Sequence, residues 1–167
     1  MRSSGYTSAF VLLSASALLA AGCGWSPKGG EPTPEADKCT PADAPPENIV
    51  RASIFSLPQP AVGKWVQTGS GHTSDCSLYW VQVGQNNSTP DSPQQVVFFN
   101  KGTMLGTPTP SPRPYITVTA SSPNTATVQY QWQQAKDQPG MPTGIGSVRF
   151  TIEAGALKAL DPIPGPK

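Results

Sequence analysis

Two hydrophobic periodicities follow one another along the chain, and they predict different elements. Between Pro46 and Leu57, the apolar positions Val50, Ile54 and Leu57 are spaced by four and then three residues, which places them on one face of a short helix. Two prolines follow directly and end that helix. Because two or three turns are not stable alone in water, we expect the helix to pack on the rest of the domain.

From Trp65 onward, apolar positions alternate with polar ones, which is typical of β-strands. The clearest case is Thr127–Gln133, where Val128, Tyr130 and Trp132 share one face. The predicted strands are Trp65–Val66, Leu78–Val83, Val96–Phe99, Thr103–Leu105, Tyr115–Ala120, Thr127–Gln133, Val148–Ile152 and Leu157–Leu160. The pattern therefore predicts an α+β, mainly β fold: one curved antiparallel sheet of about six to eight short strands with one short N-terminal helix. An all-β sandwich or barrel is the alternative.

Two local signals sharpen this prediction. The run Val96–Phe99 holds four consecutive apolar residues, which indicates that both faces of its strand are covered. The following Asn100–Gly102 predicts a three-residue hairpin turn with Gly102 at positive φ. The proline-rich segment 106–114 cannot lie in the middle of a sheet, because proline lacks the backbone N–H that a ladder needs.

Residues 1–22 have the pattern of a secretory signal peptide. Arg2 is the single charged residue, and an apolar stretch of 14 residues follows from Ala9, shorter than the about 20 residues of a membrane-spanning helix. The string Leu19–Cys23 resembles a bacterial lipobox, which implies cleavage before Cys23 and diacylation of its thiol. Two acyl chains form a stable anchor, so we expect a lipid-anchored protein on the extracytoplasmic face of the cell membrane, with the lipid bilayer as partner.

The remaining chain divides into a tether, one domain and a tail. The predicted segments are a lipoprotein signal peptide at 1–22, a Pro/Gly-rich tether at 23–45, a single domain at 46–164 and a tail at 165–167. With Cys23 acylated, the two other cysteines, Cys39 and Cys76, remain in an oxidising compartment. We therefore predict a Cys39–Cys76 disulfide, which encloses the helix in its loop.

Composition excludes several classes of function. With 11 Lys and Arg against 10 Asp and Glu, the chain has no basic surface typical of nucleic-acid binding. Its 16 glycines and 20 prolines exclude a coiled coil or helical repeat. The chain has one histidine, and Cys39 and Cys76 are assigned to the predicted disulfide, so no credible set of metal ligands remains. We therefore predict neither a metal nor a cofactor.

A series of residue strings carries a family resemblance. In chain order they are Cys76–Val81, Val96–Gly102, Leu105–Thr109, Tyr115–Val118, Val128–Trp132, Val148–Phe150 and Leu160–Pro164. This ordered set, behind a lipobox, resembles the LppP/LprE lipoprotein family of mycobacteria and related actinobacteria over residues 39–164. Gln131 departs from the family pattern, where arginine is expected, and so does Asn100, where histidine or aspartate is more usual. Both departures argue against a charged site on these strands.

The resemblance implies an envelope location, a disulfide and a single LppP/LprE-like domain at 46–164. It implies no established activity, substrate or catalytic residue. An enzyme stays open as the alternative function, because Ser70, His72 and Asp75 contain the atoms of a hydrolase triad. They lie on a predicted polar Gly/Ser loop at 69–75 that lacks a strand-to-helix nucleophile elbow, so we assign no catalytic residue.

Binding is the favoured class of function. Aromatic rings serve either as core or as a stacking platform for sugars and lipid tails. Tyr79, Trp80 and Trp132 are the candidate ligand contacts, and Tyr79, out of phase with Leu78 and Trp80, is the better candidate for an exposed position. We predict a membrane-anchored cell-envelope lipoprotein with a non-enzymatic binding or scaffolding role and an envelope lipid or glycan as candidate ligand.

Overall fold

A computed structural model of the protein describes residues 38–165. Its elements are the helix α1 (Glu47–Ser56) and the strands β1 (Trp65–His72), β2 (Tyr79–Gln85), β3 (Gln94–Asn100), β4 (Thr103–Gly106), β5 (Ile116–Ser122), β6 (Thr125–Trp132), β7 (Gly144–Glu153) and β8 (Ala156–Ala159). The predicted short helix is confirmed: it follows Pro46 directly and carries Glu47 in its first turn, where a carboxylate complements the helix dipole.

The strands form two sheets, so the prediction of a single sheet is wrong. The first sheet has the order β1-β2-β3-β4 and the second the order β5-β6-β7-β8, each antiparallel with sequence neighbours paired. Neither four-stranded sheet closes on itself, which also rules out a barrel. The proline-rich segment between β4 and β5 explains the division, because proline cannot continue a hydrogen-bonded ladder.

The two sheets share one buried cluster. Its members are Leu78, Trp80, Val96, Phe98, Ile116, Ala126, Val128, Tyr130, Val148 and Phe150. The rings of Phe98 and Phe150, one from each sheet, lie with centroids 5.5 Å apart. The sheets therefore pack as a sandwich around alternate residues of their strands.

A second cluster lies on the opposite face of the first sheet. It contains Leu57, Trp65, Tyr79, Val81, Val83, Val97 and Phe99, with Ile49, Val50 and Ile54 of α1 packed against it. Within Val96–Phe99, alternate residues thus face the second sheet and the helix. This confirms that both faces of β3 are covered, as its continuous apolar run predicts.

The β3–β4 hairpin is at the predicted place, but its turn differs in detail. Asn100 pairs with Thr103, so the turn has two residues, Lys101 and Gly102, rather than three. Lys101, with φ of 50°, adopts the left-handed conformation that glycine was expected to supply. The irregularity in register lies further along, where Phe98 pairs with Gly106 and Phe99 with Met104.

Candidate functional site

The first pocket lies between the start of α1 and strands β1 and β2, and we call it the helix-side pocket. It measures about 460 Å³ and is lined by Ala44, Pro45, Glu47, Val50, Gln67, Ser70, Gly71, His72, Tyr79, Trp80 and Val81. Tyr79 and Trp80, two predicted ligand contacts, both line it, although they are only 6% and 7% exposed. The expectation of an exposed Tyr79 is wrong because α1 covers that face of the first sheet.

The segment predicted as a polar loop at 69–75 is mostly strand. Strand β1 continues to His72, which pairs with Tyr79, while Gly71 pairs with Trp80. A Cβ at Gly71 would lie 2.4 Å from Cζ2 of Trp80, so glycine leaves the space that the indole ring occupies. The His72 and Tyr79 rings lie 5.1 Å apart, which places His72 against the aromatic wall of the helix-side pocket.

Asp75 lies in the turn that follows β1, and its carboxylate is occupied within that turn. Thr73 Oγ1 donates to Oδ1 at 2.7 Å, and Ser77 donates through its backbone N at 3.0 Å and its Oγ at 2.7 Å. Desolvation raises the pKa of Asp75, but the hydrogen bonds from Ser77 and Thr73 outweigh it and hold this pKa below its ordinary value. The Asp75–Ser77 contact is an Asx-turn, which supports Cys76 at φ of 60°.

The disulfide is present in the structure and joins this turn to the segment before α1. Cys39 and Cys76 are bonded with their Cα atoms 5.5 Å apart, and they are separated by 37 residues. Helix α1 and strand β1 lie within the closed loop. Cys23, the predicted site of lipidation, lies outside the described residues.

The second pocket lies around the end of β6, and we call it the Trp132 pocket. It measures about 560 Å³ and is lined by Asp91, Arg113, Pro114, Tyr115, Gln131, Trp132 and Gln133. Trp132, the third predicted ligand contact, follows the buried residues Val128 and Tyr130 on the same face of β6 and is half-buried. Its predicted inward side is thus correct, but the ring lies where the core opens into the pocket.

Two glycines of β7 make room for the Trp132 ring. A Cβ at Gly144 would lie 2.4 Å from Nε1 of Trp132, and a Cβ at Gly146 would lie 3.5 Å from its Cη2 and 2.6 Å from Pro164. Any side chain larger than hydrogen at Gly144 would displace the indole. The ring therefore lies directly against the β7 backbone in a defined orientation.

Arg113 is fixed between the core and the C-terminal segment. Its Nη1 donates to the carbonyl of Pro164 at 2.5 Å, and its guanidinium lies 5.4 Å from the centre of the Tyr130 ring. Burial raises the pKa of Tyr130 to about 12, against the opposing effect of Arg113, so its phenol stays neutral. The hydroxyls of Tyr115 and Tyr130 are buried without a hydrogen-bond partner among residues 38–165.

Neither a metal centre nor a membrane span is found in residues 38–165. No group of three or more His, Cys, Asp or Glu side chains in this range is placed to hold a metal ion. No helix within the same range is long and apolar enough to cross a bilayer.

The family model and the individual relatives that match this chain both point to one lipoprotein family. The model of the LppP/LprE lipoprotein family matches residues 70–155, from the last residues of β1 to the turn after β7. Proteins named lipoprotein LppP, from Mycobacterium bovis and from two strains of Mycobacterium tuberculosis, are 44% identical over 149 residues, covering 88% of this chain and 85% of theirs. No solved structure shows significant similarity to the chain.

Proposed function

The chain belongs to the LppP/LprE lipoprotein family, and on that premise we propose that it is a lipid-anchored binding protein of the cell envelope. The acyl chains on Cys23 hold it at the extracytoplasmic face of the membrane. Residues 23–45 form the tether, and the domain at 46–164 binds a ligand without transforming it. The lipobox-like sequence before Cys23 and the family membership support the anchor.

The observation that carries the binding role is the composition of the Trp132 pocket. This cavity of about 560 Å³ is within the usual size range of small-molecule sites, about 300–1,000 Å³. Its lining combines aromatic rings with hydrogen-bonding side chains, but it includes no serine, cysteine, histidine or lysine. Such a lining favours recognition over catalysis, because Asp91 is the one carboxylate among its lining residues and glycoside hydrolysis ordinarily uses a pair of them.

The alternative is an envelope hydrolase that uses His72 and Asp75. The Asp75 carboxylate accepts hydrogen bonds from Thr73 and Ser77 within its own turn, an arrangement that stabilises the backbone beside the disulfide. In a catalytic triad, the carboxylate instead orients the imidazole of the base. The geometry of Asp75 therefore favours a structural role for this carboxylate.

Native mass spectrometry of the full acylated chain, released from membranes with a detergent that lacks a sugar headgroup, tests the binding role. We expect a retained mass that is absent from a Trp132→Ala variant and present in a His72→Ala variant. Loss of that mass in His72→Ala but not in Trp132→Ala would place the function at the histidine and contradict the proposal. So would a protein that carries no ligand and binds none of the saccharides or lipids added to it.

A further inference from the structure

We propose that the Trp132 pocket binds a neutral saccharide segment. This inference rests on the proposed binding function and specifies its ligand class. The argument combines three properties of the pocket: a fixed aromatic platform, planar polar groups around it and a balance of charge.

The platform is the indole of Trp132. The ring packs against the backbone of β7 at Gly144, where no side chain could be accommodated, and it is half-buried at the pocket wall. An aromatic ring in a fixed orientation offers an apolar face that matches the C–H face of a sugar ring. Little conformational entropy is lost when a ligand stacks on a ring that is already held in place.

The polar groups supply both acceptors and donors. Asp91 has a carboxylate that takes part in no hydrogen bond or ion pair within residues 38–165 and is therefore open to ligand hydroxyls. Arg113 uses Nη1 to hold the Pro164 carbonyl, and a guanidinium has five N–H donors in all. Gln133 contacts the adjacent loop through Nε2, which donates to the Gln138 carbonyl at 3.2 Å. This hydrogen bond orients the amide group and therefore its side-chain oxygen. Planar groups of this kind can bond two neighbouring hydroxyls at once.

The charge balance of the pocket separates a saccharide from other ligands. One carboxylate, Asp91, and one guanidinium, Arg113, line it, so it favours neither an anion nor a cation. An acyl chain in this pocket would remove both ions from water without replacing their hydrogen bonds, which is unfavourable. Sugar hydroxyls, which both donate and accept, can satisfy the two groups together.

Isothermal titration calorimetry on the full acylated chain, in a detergent without a sugar headgroup, tests this inference. The probes are neutral glucan, mannan, galactan and xylan fragments, with a polygalacturonate fragment as the acidic comparison and palmitate as the apolar one. We expect at least one neutral fragment to bind, more tightly than polygalacturonate. Trp132→Ala should weaken it by about tenfold or more, as expected for loss of a buried aromatic contact.

Two further variants keep the test decisive if Trp132→Ala fails to fold. Asp91→Asn alters a side chain that has no hydrogen bond or ion pair within residues 38–165, and it should also weaken binding of the neutral fragment by about tenfold. Phe55→Ala removes an aromatic ring that is 83% exposed on α1 and should leave binding unchanged. Equal binding by Asp91→Asn and the natural protein would overturn the inference.

The outcomes also distinguish this inference from the proposed function. Palmitate binding that depends on Trp132, with no saccharide bound, would overturn the saccharide and leave the binding role intact. A protein that binds no probe and retains no ligand in native mass spectrometry would contradict both.

Discussion

Glycine residues beside tryptophan decide where two large rings lie. An added Cβ would lie 2.4 Å from the Trp80 ring at Gly71 and 2.4 Å from the Trp132 ring at Gly144. Neither glycine has a φ in the left-handed range, so what the fold requires at both positions is space. Hydrophobic alternation cannot detect such positions, because glycine contributes no side chain to the pattern. For this reason the sequence predicts a loop where β1 continues to His72.

Replacing Gly71 with alanine tests this requirement. Gly71→Ala should lower the free energy of unfolding by about 1–3 kcal/mol, because the new methyl group forces the buried Trp80 ring to shift. Gly69→Ala is the matched control in the same strand, since its Cβ would meet only Gln82 Cβ at 3.9 Å. Urea unfolding followed by tryptophan fluorescence measures both variants. Equal losses of stability would show that strand propensity, and not the ring contact, determines the effect.

The stabilisation that the Asp75 carboxylate gives to the turn beside the disulfide should depend on pH. The folded-state pKa of Asp75 lies below the ordinary aspartate value of 3.8, which applies to the unfolded chain. The stabilisation is therefore fully present above about pH 3.8 and is lost as the pH falls through the lower folded-state pKa. Asp75→Asn cannot ionise, so it should be less stable than the natural protein at neutral pH, by about 1 kcal/mol for a partly solvated hydrogen-bonded carboxylate.

The difference in free energy of unfolding between the natural protein and Asp75→Asn isolates the contribution of Asp75 from that of the other carboxylates. Asp161, whose bonds from Arg149 lower its pKa to about 2, also loses stabilisation on acidification, but equally in both proteins. Urea unfolding at pH 7 and at pH 2.5 should show the stability gap shrinking towards the lower pH. A gap that stays constant would mean that the Asp75 charge does not contribute to the fold.

At the scale of elements, the sequence predicts where local signals are strong. Helix α1 follows from its apolar spacing and the flanking prolines, and β3 follows from four consecutive apolar residues. The division into two sheets is not encoded in any one strand, because antiparallel alternation is the same in one sheet or two. It depends on the connection 107–115, whose prolines mark a break in pairing but do not show where the chain goes next.

The disulfide is expected to stabilise one element more than the others. Its bond closes a loop of 37 residues that contains α1, and the chain-entropy estimate for a loop of this size is about 3–4 kcal/mol. The double variant Cys39→Ser with Cys76→Ser should lose about that much stability. Its α1 amides should exchange hydrogen faster than those of β6, because a ten-residue helix depends on packing.

Hydrogen exchange with mass spectrometry measures this difference, and reductant added to the double variant is the control that should have no effect. Uniform acceleration across α1 and β6 would indicate global loss of stability without a special role for the helix. Two free thiols in protein purified from the envelope would contradict the disulfide itself.

At the scale of the whole molecule, the sequence offers aromatic candidates for ligand contact but does not predict that they belong to two separate pockets. Tyr79, Trp80 and Trp132 share an aromatic character in the sequence, but in the fold the first two line the helix-side pocket and the third lines the Trp132 pocket. Arg113 and Asp91 join Trp132 from loops that are distant in sequence. No local pattern brings such residues together, since their meeting depends on how the two sheets pack.

Membrane attachment of the whole protein is expected to depend on Cys23 alone. The chain has 11 basic residues and 10 acidic ones. The proposed cleavage before Cys23 would remove Arg2 and leave 10 of each, so the mature chain would have no net charge to hold it on an anionic surface. In the proposed lipid-anchored form, two acyl chains on Cys23 would supply the binding instead, at about 0.8 kcal/mol for each buried methylene. Cys23→Ala should therefore move the protein from the membrane fraction to the medium, whereas Ser16→Ala, which changes the same segment but keeps the cysteine, should not.

Fractionation with immunoblotting measures the distribution of these variants, and mass spectrometry tests for the acylation. Retention of Cys23→Ala on membranes through a high-salt wash would show that the domain itself, or a partner it binds, holds the protein there.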